Sequence, residues 1–145
     1  MIIEIIIALL VVVISIVGYR SLTGIWPGSR MIVQDAPPSS QKVGDTQAKF
    51  MFFYTEWCPY SQKAKDPWSS FKEMMKTSPK TYGGKHIVFE EIDAEAEKGK
   101  SALYQIKQYP TFKLQTQNKV YEMLGKPSTA SFRAFLIAAL GKESS

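Results

Sequence analysis

The chain has 145 residues, 45% of them apolar and 12% aromatic, a composition that excludes a disordered chain. Its single cysteine, Cys58, and single histidine, His86, exclude an intramolecular disulfide and a structural zinc site. The net charge of +5 arises from lysines spread singly between Lys49 and Lys142, so we expect no nucleic-acid partner.

Residues 1–20 predict a transmembrane anchor. Ile2–Tyr19 is apolar apart from Glu4. As a helix these residues would reach roughly 27 Å at about 1.5 Å each, close to the hydrocarbon thickness of a bilayer, about 30 Å. Tyr19 and Trp26 are aromatic residues suited to the membrane–water interface. The residues expected to contact the membrane are Ile5, Leu10, Val13, Val17, Tyr19 and Trp26.

A cleaved signal peptide is the alternative interpretation of this segment. No Lys or Arg precedes the apolar run, the run is longer than the core of a signal peptide, and no A-x-A-like site follows. We therefore expect an uncleaved anchor of a single-pass membrane protein. Glu4 before the span and Arg20 and Arg30 after it favour a cytoplasmic C-terminal domain by the positive-inside rule.

Residues 21–45 are predicted to form a tether. The runs GIWPGSR and DAPPSSQKVGD are rich in Pro, Gly and Ser and have no sustained period. A plain spacer accounts for this composition. The folded domain is accordingly expected over residues 46–145.

The folded domain reads as strands alternating with helices in the order β-α-β-α-β-β-α. A β-α-β crossover is right-handed and makes its two strands parallel, so we expect an α/β domain with a mixed four-stranded sheet and flanking helices. The predicted strands are Ala48–Thr55, Ile87–Ile92, Thr111–Leu114 and Val120–Leu124. The predicted helices run from Pro59 to about Lys76, through Ala94–Tyr104, and from near Ser128 to Gly141.

Two separated motifs in this order resemble one superfamily. The segment FYTEWCPYS resembles the active-site segment of the thioredoxin superfamily, in which W-C-x-x-C follows a strand. The segment EIDAEAEKGKSALYQIKQYPTFKL resembles the protein disulfide isomerase branch, whose Y-P-T carries a cis proline. The resemblance covers about residues 49–141. It implies a trimmed thioredoxin-like fold, because the family's first strand and helix have little room before Lys49.

The resemblance also implies thiol–disulfide exchange and a set of site residues. The implied catalytic residues are Cys58, Ser61, Trp57 and Pro110, and the implied substrate-binding residues are Pro59, Tyr60 and Tyr109. The Tyr109–Pro110 peptide bond is expected to be cis, a state found in about 5–6% of X–Pro bonds. A protein partner would then bind along the groove between Cys58 and Tyr109-Pro110.

A second, local resemblance is to the glutaredoxins, whose C-P-Y-C matches Cys58-Pro59-Tyr60. It does not extend to glutathione binding, because Tyr109-Pro110 stands in place of the T-V-P of glutaredoxins and no Gly-Gly follows. We therefore expect no cofactor and no metal.

The sequence departs from the disulfide isomerase pattern at two related positions. Ser61 replaces the resolving cysteine, and Phe52 stands where those enzymes place the buried carboxylate that accepts the resolving thiol's proton. The remaining thiol, Cys58, would lie at a helix N-terminus, where the helix dipole, free N–H groups and the Ser61 hydroxyl can stabilise a thiolate. The site is therefore expected to be monothiol.

Two function hypotheses from different classes follow. The first is a membrane-anchored, disulfide-isomerase-like protein that acts by monothiol exchange or by capture of a partner as a mixed disulfide. The second is a non-catalytic thioredoxin-fold adaptor or structural protein of a membrane-containing assembly. Anchored single-domain proteins with W-C-P-type sites resemble proteins of large DNA viruses, so a virion membrane or capsid-associated component is one form of the second hypothesis.

Overall fold

A computed structural model describes residues 1–23 and 31–145 of the chain. Its helices are α1 (Ile2–Thr23), α2 (Pro59–Thr77), α3 (Lys98–Leu103) and α4 (Thr129–Leu140). Its strands are β1 (Met31–Asp35), β2 (Gln47–Tyr54), β3 (Thr81–Tyr82), β4 (Lys85–Asp93), β5 (Thr111–Gln115), β6 (Lys119–Met123) and β7 (Glu143–Ser144). Each strand and helix predicted after residue 46 overlaps one of these elements, and α3 is shorter than expected.

The sheet has seven strands in the order β1-β6-β5-β2-β4-β3-β7, so the expectation of four strands is wrong. The four predicted strands form its middle, where β2 pairs in parallel with β4 and antiparallel with β5. The three further strands lie toward the two edges, β1 beside β6 and β3 and β7 beyond β4. They provide partners for backbone N–H and C=O groups that an edge strand would leave unpaired.

Strand β1 comes from the segment that the sequence assigns to a tether. It pairs antiparallel with β6 over its five residues, and Lys119 Nζ donates to Asp35 Oδ1 at 2.7 Å. Later in the same segment, Ser40 Oγ accepts a hydrogen bond from Gln115 Nε2 of β5 at 3.0 Å. Part of the predicted tether is thus held on the domain, whereas Trp26 lies outside the described residues. The sequence does not reveal β1, because four of its five residues are exposed and show no alternation of buried and exposed positions.

The first face of the sheet carries an aromatic core beneath α2 and α4. Successive strand residues point to opposite faces, so Phe50 and Phe52 of β2 face the two helices together. The aromatic members of this core are Phe50, Phe52, Trp68, Phe71, Tyr82, Phe112, Phe132 and Phe135. Burial of each large side chain stabilises the fold by about 1.5–3 kcal/mol, so α2 is held firmly against the centre of the sheet.

The second face combines a smaller apolar cluster with buried polar groups. Its cluster contains Met51, Phe53, Ile92, Tyr104 and Val120. Beside it, the ammonium group of Lys113, on a side chain only 1% exposed, donates to Tyr104 O at 2.7 Å and lies 3.0 Å from Glu122 Oε2. A buried charge is tolerated only when it is paired in this way.

Helix α1 contains one segment, Ile2–Tyr19, that is long and apolar enough to cross a membrane. None of this segment is buried within the described residues. Length and composition alone fit a membrane anchor or a signal sequence. The predicted membrane-contacting side chains in the helix are all exposed: Ile5, Leu10, Val13, Val17 and Tyr19.

The strand β7 is fastened to the domain by Glu143. The Glu143 carboxylate accepts hydrogen bonds from Arg133 Nε at 2.6 Å, Arg133 Nη2 at 2.8 Å, Lys80 Nζ at 2.8 Å and Tyr82 Oη at 3.0 Å. The hydrogen bonds from Arg133, followed by those from Lys80 and Tyr82, lower the pKa of Glu143 to about 2 against the opposing effect of burial. Burial and the adjacent carboxylate raise the pKa of Tyr82.

Glu143→Gln is expected to lower the free energy of unfolding at pH 7 by about 1–2 kcal/mol, a range that allows for solvent screening at Arg133. Because the pKa of Glu143 is depressed in the folded state, its contribution is fully present above its unfolded pKa of 4.5 and is lost as the pH falls toward about 2. The two proteins should therefore converge in stability near pH 2.

Urea unfolding of the full chain in neutral detergent micelles, at several pH values, measures this difference. Glu73→Gln is the control. Glu73 is exposed, and its ion pair with Lys76 Nζ is long, at 3.9 Å, so its loss should change the stability little. A difference between wild type and Glu143→Gln that stays constant from pH 7 to pH 2 would contradict the assignment.

Candidate functional site

Cys58 lies at the junction between the central strand and helix α2. Strand β2 ends at Tyr54, and Cys58 is the N-cap residue of α2 with an extended backbone, φ −84° and ψ 118°. Pro59 occupies the first helical position, where its fixed φ suits a helix and its missing N–H costs nothing. Gln62 N–H then donates to Cys58 O at 3.1 Å. The predicted start of the helix is confirmed.

The environment of the Cys58 sulfur favours its thiolate form. Hydrogen bonds from the backbone N–H groups of Ser61 and then Tyr60 lower the pKa of the Cys58 thiol, although partial burial opposes them. The Ser61 hydroxyl contributes in the same direction. Its Oγ also accepts a hydrogen bond from Thr55 N–H at 3.2 Å, which leaves its O–H free to donate to the sulfur.

Ser61 is therefore a supporting group for the thiolate. The side chain is fully buried in the first turn of α2, three residues after Cys58. The side chain of Thr55, also buried, contributes to the lowered pKa of Cys58 as well. Sequence reasoning missed Thr55, since only its position in the turn between β2 and α2 connects it to the site.

The loop before β5 reaches the sulfur because of the strand register. Phe53 of β2 is opposite Thr111 of β5, so the residues that precede Thr111 lie near the end of β2 that leads into Cys58. The Tyr109–Pro110 bond has the cis geometry expected from the sequence. The Cys58 thiol donates to Tyr109 O, with a sulfur–oxygen distance of 3.7 Å.

Two aromatic side chains form an exposed rim around Cys58. Trp57 is 64% and Tyr60 is 71% exposed, whereas Cys58 itself is only 7% exposed. The rings of Trp57 and Tyr109 lie 6.4 Å apart, nearly perpendicular, and Trp57 Nε1 donates to Glu95 Oε1 at 2.8 Å. A partner that reaches the sulfur must therefore pass between large apolar surfaces.

A cavity of about 580 Å³ opens beside this rim. It lies between the start of α2, the Tyr109-Pro110 loop and the loop that joins β6 to α4. Its lining includes Tyr60, Lys63, Pro110, Phe112, Leu124 and Lys126. Lys63 follows Cys58 by five residues in α2, so the sequence already places its charge near the sulfur. Sequence reasoning missed residues 124–127, because no motif marks them and only the chain topology brings them to this cavity.

Position 52, in the interior beneath α2, is occupied by a phenylalanine and provides no carboxylate. Phe52 is 1% exposed, and its ring stacks on that of Phe112 at 4.9 Å with an interplanar angle of 8°. The neighbouring carboxylate of Glu91 accepts hydrogen bonds from Lys72 Nζ at 2.6 Å and Trp68 Nε1 at 2.9 Å. Its pKa is lowered, chiefly by Lys72, so Glu91 stays ionised and is a poor proton acceptor.

The described residues contain no group of three or more His, Cys, Asp or Glu side chains arranged to hold a metal ion.

Comparison with known proteins supports the thioredoxin-like fold that the sequence motifs predict. The thioredoxin family model matches residues 38–138 of this chain. No curated protein sequence matches the chain. Among solved structures, human ERp44 is similar with a TM-score of 0.53 and 21% identity, over 63% of this chain and 27% of that one. The chain thus spans about a quarter of the length of ERp44.

Two single-domain structures are also similar. The Trx4 domain of ERdj5 matches with a TM-score of 0.53 and 18% identity, over 66% of this chain and 81% of that one. The first thioredoxin domain of mouse protein disulfide-isomerase A4 matches with a TM-score of 0.52 and 18% identity, over 66% of this chain and 62% of that one. At these identities the likeness establishes a common fold.

The lowered pKa of Cys58 predicts rapid alkylation in mildly acidic solution. Because only the thiolate reacts, wild type should react with iodoacetamide at pH 6 faster than a model thiol such as 2-mercaptoethanol. Ser61→Ala removes one hydrogen bond to the sulfur and should raise the pKa of Cys58, so its rate at pH 6 should fall several-fold.

The rate of alkylation as a function of pH measures this effect. Ser70→Ala on the exposed side of the same helix is the control and should follow the wild-type profile. If the midpoint for wild-type Cys58 equals that of the model thiol, the assignment of a stabilised thiolate is wrong.

Proposed function

Because this chain belongs to the thioredoxin family, we propose that it performs thiol–disulfide exchange with a single thiolate, that of Cys58. The observation that carries the proposal is the pairing of a pKa-lowered sulfur at the N-terminus of α2 with Ser61 in the place of a second thiol. Cys58 is also the only cysteine in the sequence. The chain can therefore start an exchange reaction but cannot complete it alone.

The proposed reaction begins when the Cys58 thiolate attacks one sulfur of a partner disulfide. A Cys58–partner disulfide forms, the original sulfur–sulfur bond breaks, and the second partner sulfur leaves as a thiolate. Resolution requires an external thiolate, which attacks this mixed disulfide and regenerates the Cys58 thiolate. Since no internal thiol competes for the adduct, the mixed disulfide is long-lived unless such a thiol is supplied.

The partner is proposed to bind as an extended segment across the Tyr109-Pro110 loop. Tyr109 O, which is 3.7 Å from the sulfur, lies beside the position that a partner cysteine would take. Main-chain hydrogen bonds to an extended peptide are a common mode of recognition. The exposed rings of Trp57 and Tyr60 would contact the residues on either side of that cysteine.

The exchange activity should respond to two substitutions: one adds a second thiol, and the other adds a base for that thiol. Wild type, with dithiothreitol present in excess, should reduce insulin disulfides much more slowly than an ordinary dithiol thioredoxin. Ser61→Cys places a thiol one helical turn from Cys58 and should increase the rate, although Phe52 provides no base for the new thiol. Adding Phe52→Asp should increase it further, at a cost in stability because a carboxylate enters the aromatic core.

Insulin reduction by wild type, the single variant and the double variant tests this proposal. A wild-type rate equal to that of an ordinary thioredoxin would disprove the monothiol mechanism. If no variant is active and Cys58 is unreactive toward iodoacetamide, the alternative hypothesis applies. The protein would then be a non-catalytic adaptor of a membrane-containing assembly, such as a virion.

We further propose that α1 anchors the domain in a membrane, with the domain on the cytoplasmic side. The support is the exposed apolar segment Ile2–Tyr19 and the distribution of charge along it, with Glu4 near its start and Arg20 and Arg30 after its end. In that location Cys58 would face a reducing compartment, in which small thiols are available to resolve a mixed disulfide.

Protease added to the cytoplasmic side of sealed membranes should remove the domain. Replacing Arg20 and Arg30 with Glu should reverse the charge bias and increase the protected fraction. Immunoblotting of the domain, with detergent-permeabilised membranes as the control, measures the protection. Complete protection of the wild-type domain would place it in the lumen instead.

A further inference from the structure

The two sides of Cys58 differ in charge. Strand β2 is flanked by β5 and then β6 on one side and by β4 on the other. The strands β2, β4 and β6 end at the same end of the sheet, which is the end that carries Cys58. The loop after β6 therefore lies on one side of the sulfur and the loop after β4 on the opposite side. Lys126 belongs to the first loop and Glu95 to the second.

The cavity side carries two lysines without a partner. Lys63 and Lys126 line the cavity of about 580 Å³ beside Cys58, and both side chains are exposed. Neither ammonium group has a hydrogen bond or an ion pair with any residue in the described ranges 1–23 and 31–145. Glu122 also lines the cavity, but its carboxylate pairs with Lys113 and does not neutralise either lysine.

The opposite side of Cys58 is negative. Glu95 accepts the indole N–H of Trp57 at 2.8 Å, which leaves its negative charge in place because the indole is neutral, and Glu56 is paired with Lys65 at 2.8 Å. The unpaired positive charge next to Cys58 thus lies on the cavity side. Between the two lysines the cavity wall is apolar, with Pro110, Phe112 and Leu124.

We propose that Cys58 selects partner cysteines whose neighbouring residues include aspartate or glutamate, because Lys63 and Lys126 attract those carboxylates into the cavity. This inference rests on the proposed exchange function and adds the chemical class of the partner. Charges at the rim of an interface mainly set the rate of encounter and exclude partners of the wrong sign. Lys63 and Lys126 are therefore specificity residues.

The test uses cysteine peptides activated as 2-pyridyl disulfides. The Cys58 thiolate attacks the peptide sulfur, a Cys58–peptide disulfide forms, and pyridine-2-thiolate leaves and is followed by its absorbance. One peptide pair carries two Asp or two Asn residues before the cysteine, and a second pair carries them after it. Each rate is divided by that of 2-mercaptoethanol with the same peptide, which removes differences in intrinsic reactivity.

The full chain in neutral detergent micelles should react about threefold to tenfold faster with the Asp peptide than with the Asn peptide in at least one pair. High salt should bring that ratio toward one, because both lysines are exposed to solvent. In Lys63→Gln/Lys126→Gln the ratio should also fall to about one. The ratio within each variant is independent of any change in the reactivity of Cys58.

The matched control is Lys76→Gln/Lys142→Gln, which removes the same charge at the opposite ends of α2 and α4 and should retain the wild-type ratio. Equal rates for Asp and Asn peptides, or the same loss of preference in the control, would overturn the proposal. If Cys58 reacts with no peptide and not with 2-hydroxyethyl disulfide, the proposed function fails, and the selectivity with it. Reaction with 2-hydroxyethyl disulfide but no preference for Asp overturns the selectivity alone.

Discussion

The packing of Trp68 against the sheet holds helix α2, and with it Cys58, in place. The Trp68 ring is 1% exposed, and its indole N–H donates to Glu91, so its one polar atom is satisfied on burial. The aromatic rings in contact with it are those of Phe50, Phe52, Phe89, Phe112 and Phe132. Cys58 begins the same helix, so the distance from its sulfur to Tyr109 O depends on this contact.

The same aromatic packing leaves no room for a carboxylate at position 52. A carboxylate at position 52 would have to replace a ring that stacks on Phe112 and contacts Trp68, in a region almost closed to solvent. Ser61 carries a hydroxyl group, which is a hydrogen-bond partner of the Cys58 sulfur. The lowered pKa of Cys58 comes from the N–H groups of Ser61 and Tyr60 and the Ser61 hydroxyl in the first turn of α2, with a contribution from the Thr55 side chain.

Charged groups are kept at the margins of the sheet and on its second face. Lys113 and Glu122 pair beneath the second face, and Glu143 joins Lys80 and Arg133 at the far edge. These groups are compensated inside the domain. The unpaired lysines beside Cys58 are exposed, where a free charge costs little and remains available to a partner.

The sequence by itself determined the order of the central elements, the position of Cys58 at a helix start and the apolar first helix. These features depend on local patterns: a short aromatic run predicts a buried strand, Pro59 favours the first helical position, and a predominantly apolar run of eighteen residues predicts a membrane span. The monothiol character of the site followed directly from the single cysteine.

Only the tertiary structure decided the number of strands and the composition of the cavity. Strand β1 is an exposed edge strand of five residues, and β3 and β7 have two residues each, so none shows an alternation of buried and exposed positions long enough to predict a strand. They become strands because neighbouring backbone groups supply the hydrogen bonds. Lys63 follows Cys58 by five residues in α2, whereas Lys126 is far along the chain and has no motif. The sheet order brings Lys126 to the same cavity, and a non-local pairing of this kind is invisible to local periodicity.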